Sequence, residues 1–281
     1  MKRKKRSIFS LNNFLKLVGI VLIAVFTIFP LYWAVNVSLL PESEVIKSEP
    51  HFYPSPSVAT LGAYKEIFER HRVHRYILNS VFIVGVASLI TLLFSFALAY
   101  ALAKHRFRLK KVFLYMMIWM LALPWIVYVL PLFNIANFLG LLDTHFLLIM
   151  LYGFSGIPLF AWFALPYLHE FPDELVDAGR LDGCSEWGIV FRVVMPALKN
   201  VLISLFILRF VWAYNDLLYS LSFAFHRAKM IMPALLEFPG MYDIPFAKMA
   251  AGGVLAVLPI LFIVIFFQKY VVSGLVGRTF K

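Results

Sequence analysis

The sequence predicts an all-α, polytopic membrane protein of six transmembrane helices, and three observations carry that expectation. Apolar residues make up 62% of the chain against 15% charged, with a mean hydropathy of +0.84, far from the balance of a soluble domain. Six apolar runs recur, near residues 17–37, 80–103, 112–133, 146–168, 201–223 and 250–272. Each matches the roughly 20 residues that cross a bilayer core. The bases are also segregated: seventeen fall in the N-terminus, 104–111, 169–199 and the tail, and eight in the alternate segments. Such bias places both termini in the cytoplasm. Across 281 residues these spans leave no room for a large soluble domain, so a single transmembrane domain over 1–281 is expected.

The first run follows six bases, Lys2, Arg3, Lys4, Lys5, Arg6 and Lys16. It imitates a signal peptide, but it is too long for an h-region and lacks a small-x-small cleavage site, so it reads as an uncleaved span. The segment that follows, 39–78, is Pro- and Ser-rich and then turns amphipathic. Thr60 can cap a short helix in which Leu61, Tyr64, Ile67 and Phe68 recur at helical spacing. That helix either lies on the outer face, docks a partner or simply connects two spans. The later runs contain Pro124, Pro131, Pro158, Pro166 and Pro259, tolerated in bundled spans because neighbours satisfy the freed carbonyls.

Several chemistries are excluded. No phosphate-binding G-x-x-x-x-G-K-[ST] loop, no H-E-x-x-H and no G-x-S-x-G occur, so the chain is not expected to be an enzyme or to hold a nucleotide. Cys184 is the sole cysteine, and the seven histidines are scattered apart from His71 and His74. No disulfide, metal or cofactor is expected. The net charge of +11 reflects basic loops beside lipid, not nucleic-acid binding.

The 169–199 loop is the most informative segment. Pro172 suits a first helical turn, and Asp173 and Glu174 follow where the helix dipole favours acids. Gly183 stands where a left-handed residue would end that helix, and Ser185 can cap a second helix through Trp187, Val190 and Val194 to Pro196. Ala178 and Gly179 leave one face of the first helix nearly bare, open to close approach by another protein. Asp177-Ala178-Gly179, then Gly183, then Val193-Val194-Met195-Pro196 resembles the EAA signature of binding-protein-dependent ABC importer permeases. The spacing matches throughout, with Asp for Glu, Gly for the second Ala, Val for Ile and Met for Leu. The likeness extends to Asn79-Ser80, to Leu130-Pro131-Leu132-Phe133 with Gly140-Leu141-Leu142-Asp143-Thr144, and to Trp212 with Asn215-Asp216. It is greatest to the smaller permease of the carbohydrate-uptake, maltose- and trehalose-type branch.

The resemblance implies a type I importer permease (MetI-like) fold. It assigns Asp177, Ala178, Gly179, Leu181, Asp182, Gly183 and Pro196 to ATPase coupling. It also makes the tail Ser273-Gly274-Leu275-Val276-Gly277 similar to residues that enter the ATPase dimer. The implied partners are a second homologous permease, two ATP-binding subunits, an extracytoplasmic sugar-binding protein and membrane lipid. The implied cargo is a sugar, an oligosaccharide. Glycerol phosphate or a polyamine carried by the same machinery is an alternative, as is an ion-coupled secondary carrier.

Arg209, Trp212, Asp216 and Tyr219 are spaced by three, four and three, so they form one stripe on a helix, with Asn215 beside it. A charge at bilayer depth costs about 2.5–3.5 kcal/mol, so Arg209 should face protein or water. The stripe either lines a solute pathway or packs as a gate against the partner permease. Arg209 and Asp216 stand two turns apart, so a bridge through water or another subunit is expected rather than a direct pair.

Overall fold

The computed structural model describes residues 11–47, 52–238 and 244–276, with side chains over 13–47, 52–238 and 244–270. The bases Lys2 to Arg6, Asp243 and Gly277 lie outside the described residues. All regular structure among the described residues is helical: α1 (Leu11–Ser38), α2 (Glu42–Val45), α3 (Gly62–Glu69), α4 (Val73–Lys104), α5 (Lys110–Ala122), α6 (Ile126–Phe138), α7 (His145–Ser155), α8 (Ile157–His169), α9 (Asp173–Leu181), α10 (Glu186–Ile189), a π-turn (Val190–Val194), α11 (Met195–Ala197), α12 (Lys199–Tyr214), α13 (Leu218–Phe223), α14 (Ile231–Leu235) and α15 (Phe246–Val276).

The chain divides into two compact units: Met1–Arg72 with Phe238–Leu255, and Val73–Glu237 with Ala256–Lys281. In the first, α1 presents Ile20, Leu22, Ile23 and Phe26 outward, as a helix solvated by lipid tails does. The Tyr32 hydroxyl donates to the Phe52 carbonyl, and Ser38 and Tyr64 share a 2.7 Å hydrogen bond. Helix α3 forms where the sequence predicts a short helix. Thr60 accepts the Gly62 N–H at 3.1 Å from one position outside the cap. Its buried residues are Ala63 and Ile67, while Leu61 and Phe68 are exposed. The packing face is therefore turned from the one expected.

The second unit is built around α4. Its 32 residues pack on α7, α8 and α12. Small residues allow close approach: at Gly153 a Cβ would meet the Ile90 side chain at 3.0 Å. One core cluster runs from Phe96 and Ala99 through Phe160 and Ala164 to Val176, Ile189 and Val194. The loop at 169–199 is thus packed into the body of this unit and does not trail from it.

Among the described residues, three helices have the length and apolarity to cross a membrane alone: 13–38, 73–104 and 246–270. The expected third and fourth spans are bent pairs, α5 with α6 at 97° and α7 with α8 at 42°. The first bend falls at Leu123-Pro124, where the residue before proline is driven extended (ψ 128). The second falls at Gly156, ahead of Pro158, which cannot donate to the helix.

Candidate functional site

The 169–199 hairpin has the architecture that its capping residues foretell. Helix α9 ends in a Schellman turn: Gly183 N–H donates to the Arg180 carbonyl and Cys184 N–H to the Gly179 carbonyl, both at 3.0 Å. Gly183 takes φ +78, a conformation in which only glycine is unstrained. Ser185 then caps α10 by accepting the Gly188 N–H at 3.1 Å. The second helix reaches Pro196 through a π-turn over Val190–Val194. A wider turn suits the approach to a proline that supplies no N–H.

Ala178, Leu181 and Asp182 are exposed, Leu181 at 89%, and Asp177 and Pro196 also face outward. Gly179 differs from expectation. It is buried, and a Cβ there would meet Ile189 at 3.3 Å and Val193 at 3.6 Å. Its small size lets α9 lie against the second helix of the same chain. The bare outward face consists of Ala178 alone, flanked by Leu181.

A charge network, which sequence reasoning missed, fastens the hairpin. Arg180 bridges Asp177 and Glu186, each at 3.0 Å, and Glu186 also receives the Tyr100 hydroxyl at 3.2 Å and lies 3.4 Å from His105. Lys104, at the end of α4, pairs with Asp173 at 2.6 Å and donates to the Phe171 carbonyl at 2.5 Å. The Arg180 hydrogen bond holds the Glu186 carboxyl below the usual carboxylate range, and the Lys104 hydrogen bond does the same for Asp173. The sequence signal was present: bases follow the second apolar run and acids follow the fourth.

The other candidate residues do not form one stripe, because the fifth run is not one helix. Helix α12 stops at Tyr214 and α13 starts at Leu218. Asn215 turns its amide back to the Val211 carbonyl at 2.8 Å. Asp216 accepts the Tyr219 N–H at 3.1 Å and the Tyr152 hydroxyl at 2.8 Å, which starts α13 afresh. The carboxylate competes with the helix for these donors, and the break follows.

Arg209 is 2% exposed. Its guanidinium donates to the Tyr152 carbonyl and, at 3.2 Å, to the Thr91 hydroxyl, and its Cζ lies 5.8 Å from the centre of the Phe160 ring. Thr91 in turn donates to the Gly153 carbonyl at 2.7 Å. Tyr152, from this same chain, therefore bridges Arg209 and Asp216, in place of the water or second subunit expected. Gly156 makes the fit possible: a Cβ there would stand 2.7 Å from Arg209 Nε and 2.8 Å from Thr91 Cγ2. A cavity of about 640 Å³ opens beside this knot, lined among others by Trp125, Tyr128, Ser155, Arg209, Trp212 and Tyr219. Trp212 is half exposed and the Trp125 and Tyr219 rings lie 5.8 Å apart. Asn215 and Asp216 stand outside the lining.

With the geometry in place, comparison with known proteins decides the family. Residues 92–276 match the model of the binding-protein-dependent transport system inner membrane component. The chain belongs to that family. This inner membrane component is a multi-pass protein, and the matched region takes in the hairpin, the buried arginine and the cavity. The permease is 31% identical, over 98% of both chains, to the arabinooligosaccharides transport system permease protein AraQ of Halalkalibacterium halodurans. It is 28% identical to the trehalose/maltose transport system permease protein MalG of Thermococcus litoralis, over 96% of this chain and 98% of that protein. Its fold is shared with a chain of a bacterial ABC transporter involved in the import of the acidic polysaccharide alginate, with a TM-score of 0.79 at 19% identity. The match covers 96% of this chain and 99% of that one.

Proposed function

We propose that this permease is one transmembrane subunit of an ATP-driven importer that carries an oligosaccharide across the cytoplasmic membrane. In this reading residues 1–281 form one permease domain with both termini in the cytoplasm. It pairs with a second, homologous permease, two ATP-binding subunits and an extracytoplasmic sugar-binding protein. The observation that carries the reading is the hairpin. A cytoplasmic two-helix element, fixed by capping and ion pairs, presents Ala178 and the 89% exposed Leu181. An apolar side chain held out in water on a rigid base suits insertion into a partner's groove. The names of the relatives, which transport arabinooligosaccharides and trehalose or maltose, support a sugar as cargo. The aromatic cavity beside Arg209 suits it too, because a sugar offers apolar ring faces to Trp and Tyr.

In the coupling role Ala178 and Leu181 enter the ATPase groove, and Gly183 sets the angle between the two helices. Substituting Gly183 with Val forces a β-branched residue to φ +78, a strain of about 1–2 kcal/mol. The variant is expected to insert normally, to lose co-purifying ATPase subunits and to lose ATP-driven sugar uptake in vesicles. Asp177→Glu is expected to keep both. Retention of ATPase and uptake by Gly183→Val at wild-type levels refutes the coupling role.

A further inference from the structure

Arg209 carries a charge that no group in contact with it balances. Asp216 is the only acid within the six apolar runs, and its carboxylate is held by the Tyr152 hydroxyl and the Tyr219 N–H. Among the described residues no ion pair engages Arg209. Its acceptors are the Tyr152 carbonyl, the Thr91 hydroxyl at 3.2 Å and, at a loose 3.5 Å, the Ser155 hydroxyl. All three are neutral. Thr91 stands midway along the 80–103 run, which sets the guanidinium near the centre of the bilayer, where a charge is costliest. A buried cation kept there without a counter-charge marks a ligand path more than a packing contact.

The hydrogen bonds also show which part of the guanidinium is left over. Nε is committed to Thr91 and one Nη2 hydrogen to Tyr152. What remains is the end of the fork. Nη1 has no acceptor among the described residues, and the second Nη2 hydrogen reaches Ser155 only at 3.5 Å. Two coplanar N–H groups side by side match the two oxygens of a carboxylate.

Arg209 and Ser155 both line the cavity of about 640 Å³, and Arg209 is the only charged residue to do so among the described residues. The walls include Trp125, Tyr128, Trp212 and Tyr219, flat aromatic surfaces with polar tips that suit a sugar ring. An apolar pocket with one fixed polar group takes its specificity from that group. One cation balances one negative charge. A uronic acid residue brings a single charge on a planar carboxylate. A phosphate monoester brings about −1.5 to −2 at pH 7 and would leave the buried site net negative.

We propose that this cavity selects acidic oligosaccharides, the free edge of Arg209 receiving the carboxylate of a uronic acid residue while the aromatic walls hold its ring. The proposal rests on the importer reading above and narrows its cargo. The competing occupant is an acidic side chain of the second permease, which would make Arg209 a subunit-pairing residue.

The test uses the complete importer, both permeases and both ATPase subunits, in lipid nanodiscs without nucleotide. Saturation-transfer NMR compares three probes built on one ring: galacturonate, its methyl ester and galactose 6-phosphate. Wild type is expected to bind galacturonate at least tenfold more tightly than either of the others. Arg209→Gln removes that preference, and Arg209→Lys, which keeps the charge without the fork, retains only part of it. The wild-type preference is read without any variant, so a variant that fails to assemble does not decide the result. Equal binding of galacturonate and its ester by wild type overturns the proposal, and is the outcome when the second permease supplies the acid. A preference for the phosphate overturns it as well. So does a preference that persists in Arg209→Gln, because the site then lies elsewhere. Uptake into vesicles with the binding protein separates the two readings. A complex that carries neutral oligosaccharides and shows no preference for galacturonate overturns this proposal alone. A complex that carries no oligosaccharide, acidic or neutral, overturns the importer reading itself.

Discussion

Arg209 shows how one residue is placed by residues far from it in sequence. A guanidinium at bilayer depth must be fully hydrogen-bonded, and its partners here come from α4 and α7, at Thr91 and Tyr152. Gly156 provides the space. Gly156→Ala would place a methyl 2.7 Å from Arg209 Nε, and overpacking of this kind costs about 1–3 kcal/mol. The expected outcome is a lower unfolding midpoint for the purified transporter, while Gly253→Ala, which meets nothing within 4 Å, leaves the midpoint unchanged. From the sequence it was legible that Arg209 avoids lipid. Its partners were not, because Thr91 and Tyr152 are ordinary residues of apolar runs, and only the Gly156-Ile157-Pro158 tripeptide hinted at a break. Asp143 yields a pH prediction. Burial alone would push its carboxyl up, but the backbone N–H groups of Phe225, His226, Arg227 and Ala228, which donate to it at 2.8–3.1 Å, outweigh this and hold it below the ordinary value of 3.8. A folded-state pKa below the unfolded one gives stability that is present above about 3.9 and lost as pH falls through the folded value. Hydrogen exchange at Phe225 to Ala228 is therefore expected to stay protected down to about pH 4 and to accelerate only below it. Asp143→Asn should exchange faster at every pH.

At the scale of elements, the hairpin was legible because its determinants are local. A Gly at C′, a Ser at the next cap and acids in the first turn act within a few residues of themselves. The break between α12 and α13 was not legible: no Gly or Pro marks 215–217, and the run from Val201 to Phe223 reads as one helix. What stops it is the Asp216 carboxylate, claimed by Tyr152 from another element. The facing of Gly179 was hidden for the same reason, since burial against Ile189 is a tertiary fact. The charge network predicts how the hairpin is held. Glu186→Gln weakens the largely exposed ion pairs to Arg180 and His105, each worth about 0–1 kcal/mol, and the hydrogen bond from the buried Tyr100. The expected outcome is unchanged membrane insertion with faster proteolysis of the 173–197 segment. Lys104→Met, which removes the Asp173 pair and the bond to the Phe171 carbonyl, is expected to add to this effect.

At the scale of the whole molecule, alternation of apolar runs with basic and base-poor segments was enough to predict a polytopic chain. It left out the bends, which arise where Pro124 and Gly156 interrupt helices that the hydropathy profile reads as continuous. The proposed orientation predicts that a membrane-impermeant thiol reagent labels a cysteine placed at Ser57 and does not label one at Lys110 or Glu186 in intact cells. The native Cys184 should also stay unlabelled in that experiment, which makes it an internal control. Labelling at Glu186 from outside would reverse the topology. The exposed Leu181 and the Trp187–Phe191 stack, whose rings are 6.1 Å apart, bear on the life of the protein before assembly. In the coupling role proposed above, a newly made subunit without an ATPase partner would display these side chains to the cytosol, where chaperones and proteases recognise such groups. The surface proposed to transmit force would then also report vacancy. Synthesis in excess of the ATPase would end in degradation, and subunit stoichiometry would be enforced by the stickiness of the unoccupied hairpin.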